Sequence, residues 1–188
     1  MFPAIAKRIA ARARLSTVAS LAKLVRREDG NVAIEFAIVA TPFLALLFAI
    51  METALMFLAS QTLETAAQNS SRLILTGQAQ NQGYNMASFQ QAVCADLASF
   101  FNCNNVLIDV ETAQTFSSAN TGLPIQNGQI QNNFSFSPGN PGDIVVVRLM
   151  YQWPVFVSLL GLSSALSNMS GNNNLLMATA SFRNEPYQ

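Results

Sequence analysis

The feature that most limits how this chain can fold is an apolar run from Phe36 to Ala59 with one charged residue, Glu52. As an α-helix, its 24 residues would be about 36 Å long, enough to cross a hydrocarbon core of about 30 Å. Apolar residues lie on every side of that helix, as surrounding lipid requires. The run predicts a transmembrane helix over residues 31–59; the alternative is a buried core helix of a soluble protein. Pro42 lies inside it and predicts a bend.

Charge is distributed very unevenly along the chain. The formal net charge is zero, but seven basic and two acidic residues give residues 1–30 a charge of +5, and the remainder carries −5. This basic excess just before the apolar run predicts a cytoplasmic N-terminus and an extracytoplasmic domain over residues 60–188. Residues 1–30 therefore read as a basic cytoplasmic leader, with small apolar and basic residues that suit an anionic membrane surface.

The sequence contains no histidine. That excludes Ser-His and Cys-His nucleophile pairs as well as histidine metal ligands, and it removes the commonest general base. We therefore predict that the protein is not an enzyme and that it needs no metal or cofactor. We also predict no nucleic acid or small-molecule substrate among its partners.

Gly30 stands on the wrong side of the apolar run for a secretory signal, whose cleavage site follows the apolar stretch. Cleavage after Gly30 would leave the apolar helix on the mature chain, which would begin at Asn31 and carry Glu35 as its fifth residue. A carboxylate at the centre of a bilayer costs about 2.5–3.5 kcal/mol on insertion scales. The free α-amine of a neighbouring subunit could neutralise Glu35; the alternative is an interfacial glutamate that reaches the headgroups.

Residues 29–72 resemble the N-terminal domain of TadE-like proteins, the minor pseudopilins of the tight-adherence (Tad or Flp) pilus. The resemblance begins with Gly30 and the Glu35-Phe36 pair, continues through the step into proline in AIVATPF (37–43), and includes a second glutamate, Glu52. It ends in an Ala-rich extension that stops at Arg72. Three later stretches are also similar to this family: RLILTGQAQ (72–80), GDIVVVRLMYQWPVF (142–156) and ATASFRNEP (178–186).

The resemblance implies cleavage after Gly30 by a dedicated prepilin peptidase, although Phe36 stands where the major Flp pilin usually has tyrosine. It implies a minor pseudopilin in the bacterial inner membrane that assembles through its N-terminal helix. The implied partners are other pilins or pseudopilins and the pilus assembly platform. The alternative is an unprocessed single-pass anchor whose periplasmic domain binds pilus-machinery or envelope partners.

Glu52 has two interpretations that depend on how far the lipid extends. If the hydrocarbon covers residues 36–52, the carboxylate lies at the outer interface and needs no partner. If the hydrocarbon reaches Ala59, Glu52 is buried and needs a partner in another subunit or in the assembly platform.

The outer part of the chain predicts an α+β, pilin-like domain. Helical spacing continues from the span to Thr76 and returns over residues 86–101. Strand patterns follow at 105–116, 143–153 and 175–182, and they predict an antiparallel sheet of about three strands. In the first strand, Val106, Ile108 and Val110 face inward and the alternating residues face outward. Residues 117–142 form a loop long enough to be mobile or functional.

Cys94 and Cys103 are the only cysteines. Outside the inner membrane a disulfide between them is the default, and free structural thiols or a reactive pair are the alternatives. The apolar stretch 155–166 is too short to span a bilayer, so it belongs to the core or forms a subunit-contact patch.

Overall fold

The computed structural model describes residues 31–97, 99–156 and 166–186. The predicted leader, Gly30 included, and most of the apolar stretch 155–166 lie outside the described residues. The chain divides into two units whose boundary falls between Leu47 and Phe48. The described part of the first unit is the start of one helix, and the second unit holds the remainder of that helix and the sheet.

Helix α1 runs from Asn31 to Leu75 and confirms the long N-terminal helix, which ends one residue before the predicted Thr76. Its end follows from Gly77, whose φ of 75° is left-handed and is adopted most readily by glycine. The N–H of Gly77 donates to the carbonyl of Ile74 at 3.0 Å, and Arg72 lies in the last turn, where a cation suits the helix dipole. Pro42 stays within the helix, and the bend there stays a prediction.

Two shorter helices follow, α2 from Gln78 to Asn81 and α3 from Met86 to Asp96. Asn85 and Ser88 cap the start of α3 reciprocally, with N–H to side-chain distances of 2.9 and 2.8 Å. The predicted end of this helix at Phe101 was wrong. At Leu97 the backbone becomes extended, because the chain must turn back to bring Cys103 beside Cys94.

Three strands form the main sheet: β1 (Val106–Ala113), β4 (Ile144–Pro154) and β5 (Asn173–Arg183). They pair antiparallel in the order β1-β4-β5, so the order of these three strands in the sheet is also their order in the sequence. Two short strands, β2 (Ile125–Gln126) and β3 (Gln129–Ile130), form a separate hairpin between β1 and β4. The predicted α+β class and the three-stranded antiparallel sheet are confirmed.

The core lies where one face of the sheet packs with helical residues. Val110 pairs in register with Val147, and Val147 pairs with Ala180, in a row that continues across all three strands. Helices α1 and α3 contribute Leu63, Ile74 and Phe89 to the same buried cluster, all without solvent exposure. This face is therefore the inner face that the alternation in β1 predicted.

Part of the opposite face of the sheet is buried as well, although the prediction placed the alternating residues of β1 outside. Leu107, Glu111 and Ala113 are partly exposed. Asp109 has an exposed fraction of 0%. Residues of the predicted loop 117–142 account for part of this coverage, because the N–H of Ser135 donates to the Asp109 carboxylate at 2.8 Å. The N–H of Val110 donates to the carbonyl of Ser135, and the N–H of Ser137 donates to that of Val110, both at 2.8 Å. Mobility of this segment stays a prediction.

The outer edge of β5 makes a side-chain contact at Leu175. The N–H of Leu175 donates to the Oδ1 atom of Asn168 at 2.7 Å, and the Nδ2 atom of Asn168 donates to the carbonyl of Leu175 at 3.3 Å. The amide of Asn168 thus makes the pair of bonds that a neighbouring strand would make.

Candidate membrane and assembly helix

No described side chain of α1 is buried between Val32 and Leu44, whereas between Ala45 and Met56 one face is buried, formed by Ala45, Ala49, Glu52 and Met56. The remaining surface of this first half of α1 exposes large apolar side chains. They include Phe36, which is 73% exposed, and they continue to Leu58. The others are Val32, Ile34, Ile38, Val39, Phe43, Leu44, Leu46, Leu47, Phe48, Ile50, Met51, Leu55 and Phe57. Within the described residues this is the one helix long and apolar enough to cross a membrane. A soluble protein rarely exposes so large an apolar surface, so the surface is suited to lipid or to other apolar helices.

The hydroxyl groups in this half of α1 are satisfied within the helix. Thr41 donates to the carbonyl of Ala37 at 2.7 Å, and Thr53 donates to that of Ala49 at 2.9 Å. Such bonds to the carbonyl four residues earlier leave no hydroxyl that needs water. The two threonines are therefore compatible with a hydrocarbon environment.

Beyond Leu58 the surface of α1 changes from large exposed residues to small buried ones. Ala59, Leu63, Ala66, Ala67 and Ser70 are all buried, and they follow one another at intervals of one to four residues along one face. Gln61 and Gln68 remain exposed on the other side. Small residues allow the helix to approach the sheet closely, so this half acts as the spine of the outer domain.

The predicted processing residues lie at the very start of α1. Asn31 is its first residue, and Glu35 and Phe36 follow on its first turns with exposed side chains. Asn31 and Glu35 stand one helical turn apart, the separation at which helix surface residues are neighbours. Gly30 lies outside the described residues, and cleavage after it stays a prediction.

Glu52 is buried in the structure and has a hydrogen-bond donor within this chain. Its exposed fraction is 5%, and its Oε1 atom accepts a hydrogen bond from the backbone N–H of Phe156 at 2.5 Å. The structure thus gives Glu52 a donor within this chain, and its position relative to the hydrocarbon stays a prediction. The donor lies 104 residues away in the sequence, which is why local reasoning could not identify it.

Cys94 and Cys103 are joined by a disulfide, with their Cα atoms 5.9 Å apart. The bond links α3 to the short 3-10 turn Cys103–Asn105 that leads into β1. Gln90 supports the same turn, since its Nε2 atom donates to the carbonyls of Cys103 and Val106 at 3.0 and 3.3 Å. The disulfide thus links α3 to the start of β1, the first strand of the sheet.

A buried ion pair joins Asp109 of β1 to Arg148 of β4, and the sequence alone did not predict it. The two residues are register partners, and two nitrogens of the guanidinium contact one carboxylate oxygen. Arg148 also donates to the carbonyl of Gly122 at 3.3 Å, which attaches the segment after β1 to the same pair. Asp109 lies between apolar residues of β1, and Arg148 is the one charged residue of β4. These charges within apolar runs were the signal that could have revealed the pair.

The described residues contain no group of three or more His, Cys, Asp or Glu side chains that could hold a metal ion. The absence of a cofactor and of catalysis stays a prediction. Among the described residues, the feature that distinguishes the chain is the change of surface along α1.

In comparisons with known proteins, the match falls on this helix. The family model described as TadE-like protein matches residues 30–72, which covers α1 up to its last turn. No curated protein and no solved structure matches the chain. The match to a pilus component family agrees with the TadE-like resemblance of residues 29–72. It suggests that this chain is a Tad pilus-related protein with a membrane-spanning N-terminal helix.

Proposed function

We propose that this protein is a minor pseudopilin that takes part in assembly of a Tad (Flp) pilus. The observation that carries the proposal is the divided surface of α1. One continuous helix exposes large apolar side chains up to Leu58, with one buried face between Ala45 and Met56, and then packs mostly small residues against a small α+β domain from Ala59 onward. A subunit that passes from a bilayer into a packed fibre needs such a helix, because its apolar half can exchange lipid for the helices of other subunits.

Processing after Gly30 gives that helix its assembly signal. The mature chain starts at Asn31 with a free α-amine, and Glu35 lies one turn further along α1. The amine of one subunit neutralises Glu35 of its neighbour, so the cost of a carboxylate in lipid favours one axial offset between helices over others. A dedicated prepilin peptidase, other pilins or pseudopilins and the assembly platform are the partners that this scheme requires.

The orientation follows from the basic residues of the leader. Lys23, Arg26 and Arg27 precede the span, so the N-terminus is cytoplasmic and the sheet domain is periplasmic. The Cys94–Cys103 disulfide is consistent with that side of the membrane, where disulfides form and persist.

The first experiment is the intact mass of the protein purified from native membranes without reductant. We expect a chain of 158 residues that begins at Asn31 and is two hydrogens lighter than its reduced form. A chain that begins at Met1 would instead favour the unprocessed single-pass anchor and exclude assembly by the processed helix.

A matched pair of variants separates processing from assembly. We expect Glu35→Gln to be cleaved normally but to be lost from complexes with other pilus subunits, because the ion pair with the amine is gone. Glu64→Gln removes a carboxylate from the half of α1 that packs on the sheet domain, Ala59 to Leu75. There Glu64 accepts a hydrogen bond from Gln68 at 3.4 Å, and its replacement should leave assembly unchanged. Equal recovery of both variants in pilus-subunit complexes would refute the role of Glu35.

A further inference from the structure

Two consecutive backbone groups just after β4 bond to different parts of the chain, the first to the residue that precedes β5 and the second to α1. The N–H of Val155 donates to the carbonyl of Asn172 at 2.9 Å, and the N–H of Phe156 donates to Glu52 at 2.5 Å. Val155 is buried, whereas the side chain of Phe156 is 77% exposed. We call these two residues the Phe156 corner. The corner holds an aromatic side chain outward at the level of Glu52.

The level of Glu52 along α1 can be set against the thickness of a bilayer. From Phe36 to Glu52 the helix rises about 24 Å, and the hydrocarbon core is about 30 Å thick. A core that begins near Phe36 therefore ends near Met56, beyond Glu52. Leu55, Phe57 and Leu58 agree with this boundary, since they lie further along α1 than Glu52 and still expose large apolar side chains.

The surroundings of the corner suit lipid better than water. No charged residue occurs in the sequence between Arg148 and Arg183, so this end of the sheet carries no charged side chain that would resist insertion. The Glu52 carboxylate is the one acidic group at this level of α1, and it is buried and accepts the Phe156 N–H. A hydrogen bond of this kind offsets part of the cost of holding a carboxylate away from water.

We infer that the Phe156 corner is inserted among the acyl chains of the outer leaflet, beside the helix that spans it. The inserted aromatic side chain continues the lipid-facing surface of Leu55 and Phe57, and Glu52 sets its depth. The sheet domain consequently rests on the bilayer instead of standing away from it on a length of exposed helix. This inference depends on the membrane span in the proposed function, and its test includes a separate readout of the span.

The test measures the depth of a nitroxide spin label on the full-length protein in phosphatidylethanolamine–phosphatidylglycerol liposomes at low protein density. Labels are attached to F156C, to L55C as a site on the span and to F116C as an exposed aromatic site near the end of β1. Power saturation compares collisions with oxygen, which concentrates in lipid, and with a polar nickel chelate, which stays in water. The mass of each variant verifies that Cys94 and Cys103 remain paired.

We expect F156C to resemble L55C, with an oxygen-to-nickel ratio several-fold above that of F116C. If F156C instead gave the same oxygen-to-nickel ratio as F116C while L55C remained in lipid, the inference would be overturned and the span would stand. A label at position 156 that neither reagent reaches would also overturn it, because another protein surface would then cover the corner. A polar environment at L55C as well would remove the membrane span and with it the proposed function.

Glu52 provides the matched control for the depth of the corner. Glu52→Ala removes the acceptor for the Phe156 N–H, so the label on F156C should become several-fold more accessible to the nickel chelate. Glu52→Gln keeps a carbonyl oxygen as acceptor and should stay close to the parent protein. Identical depths in both backgrounds would show that Glu52 does not set the position of the corner.

Discussion

The two halves of α1 have similar helical geometry and opposite surfaces. The half up to Leu58 exposes large apolar side chains over most of its surface. The half from Ala59 to Leu75 buries mostly alanine and serine on one face, together with Leu63 and Ile74, and exposes glutamine on the other. Lipid can accommodate any apolar shape, so the first half needs only to be apolar. The second half must fit one sheet, so it needs small residues at particular positions.

The largest expected effect comes from truncating one leucine in each half. Leu63→Ala removes a side chain with no solvent exposure and should lower the free energy of unfolding of the outer domain by about 2–5 kcal/mol. Leu58→Ala removes a side chain that is 53% exposed and should change that free energy very little. Denaturant unfolding in detergent micelles measures both, and equal losses would contradict the division at Ala59.

An added positive charge should hinder membrane insertion in the half of α1 up to Leu58 and should be tolerated in the half from Ala59 to Leu75. Leu46→Arg places a cation in the middle of the span and should cost about 2.5–3.5 kcal/mol of membrane insertion. Gln61→Arg adds the same charge to the exposed side of the domain half and should leave insertion unchanged. Alkaline extraction of membranes separates inserted from released protein, and we expect it to release more of Leu46→Arg than of Gln61→Arg. Equal release of the two variants would contradict the comparison.

The smallest of the three effects concerns the disulfide, which belongs to the domain alone. Replacing Cys94 and Cys103 together by serine opens a loop of about ten residues and should cost the domain about 2.5–3 kcal/mol in the chain-entropy model. The helix in lipid makes its hydrogen bonds within itself, so its helicity should persist. Amide hydrogen exchange in liposomes reports on both parts, and faster exchange in the span as well would show that the two are coupled.

The parts of the fold that could be predicted are those specified by local periodicity. The apolar run of α1 predicts a helix over many residues, and the β-rich run of β4 predicts a strand. Both elements were identified from the sequence. The end of α3 could not be placed, because the helical pattern continues past Asp96 while the linkage to Cys103 forces the chain to turn.

The contacts of the candidate site were the least predictable, because they join distant parts of the chain. Glu52 is bonded to a backbone N–H, which every residue but proline provides, so no side-chain pattern marks its partner. Asp109 and Arg148 become neighbours only through strand register, which propensity does not specify. The segment after β1 resembles a loop in composition, and only its bonds to β1 show that it covers part of the sheet.

The amide of Asn168 at the β5 edge and the Ser135–Ser137 segment beside β1 have a consequence for self-association. Unpaired edges of a sheet are templates on which other chains add strands, and such addition leads to uncontrolled aggregation at the high local concentrations of an assembling fibre. At Leu175 and at Val110 the backbone groups that would recruit such a strand are already bonded within the chain. A foreign strand would have to displace these bonds at both places, so growth by edge pairing is disfavoured there relative to contacts between helices.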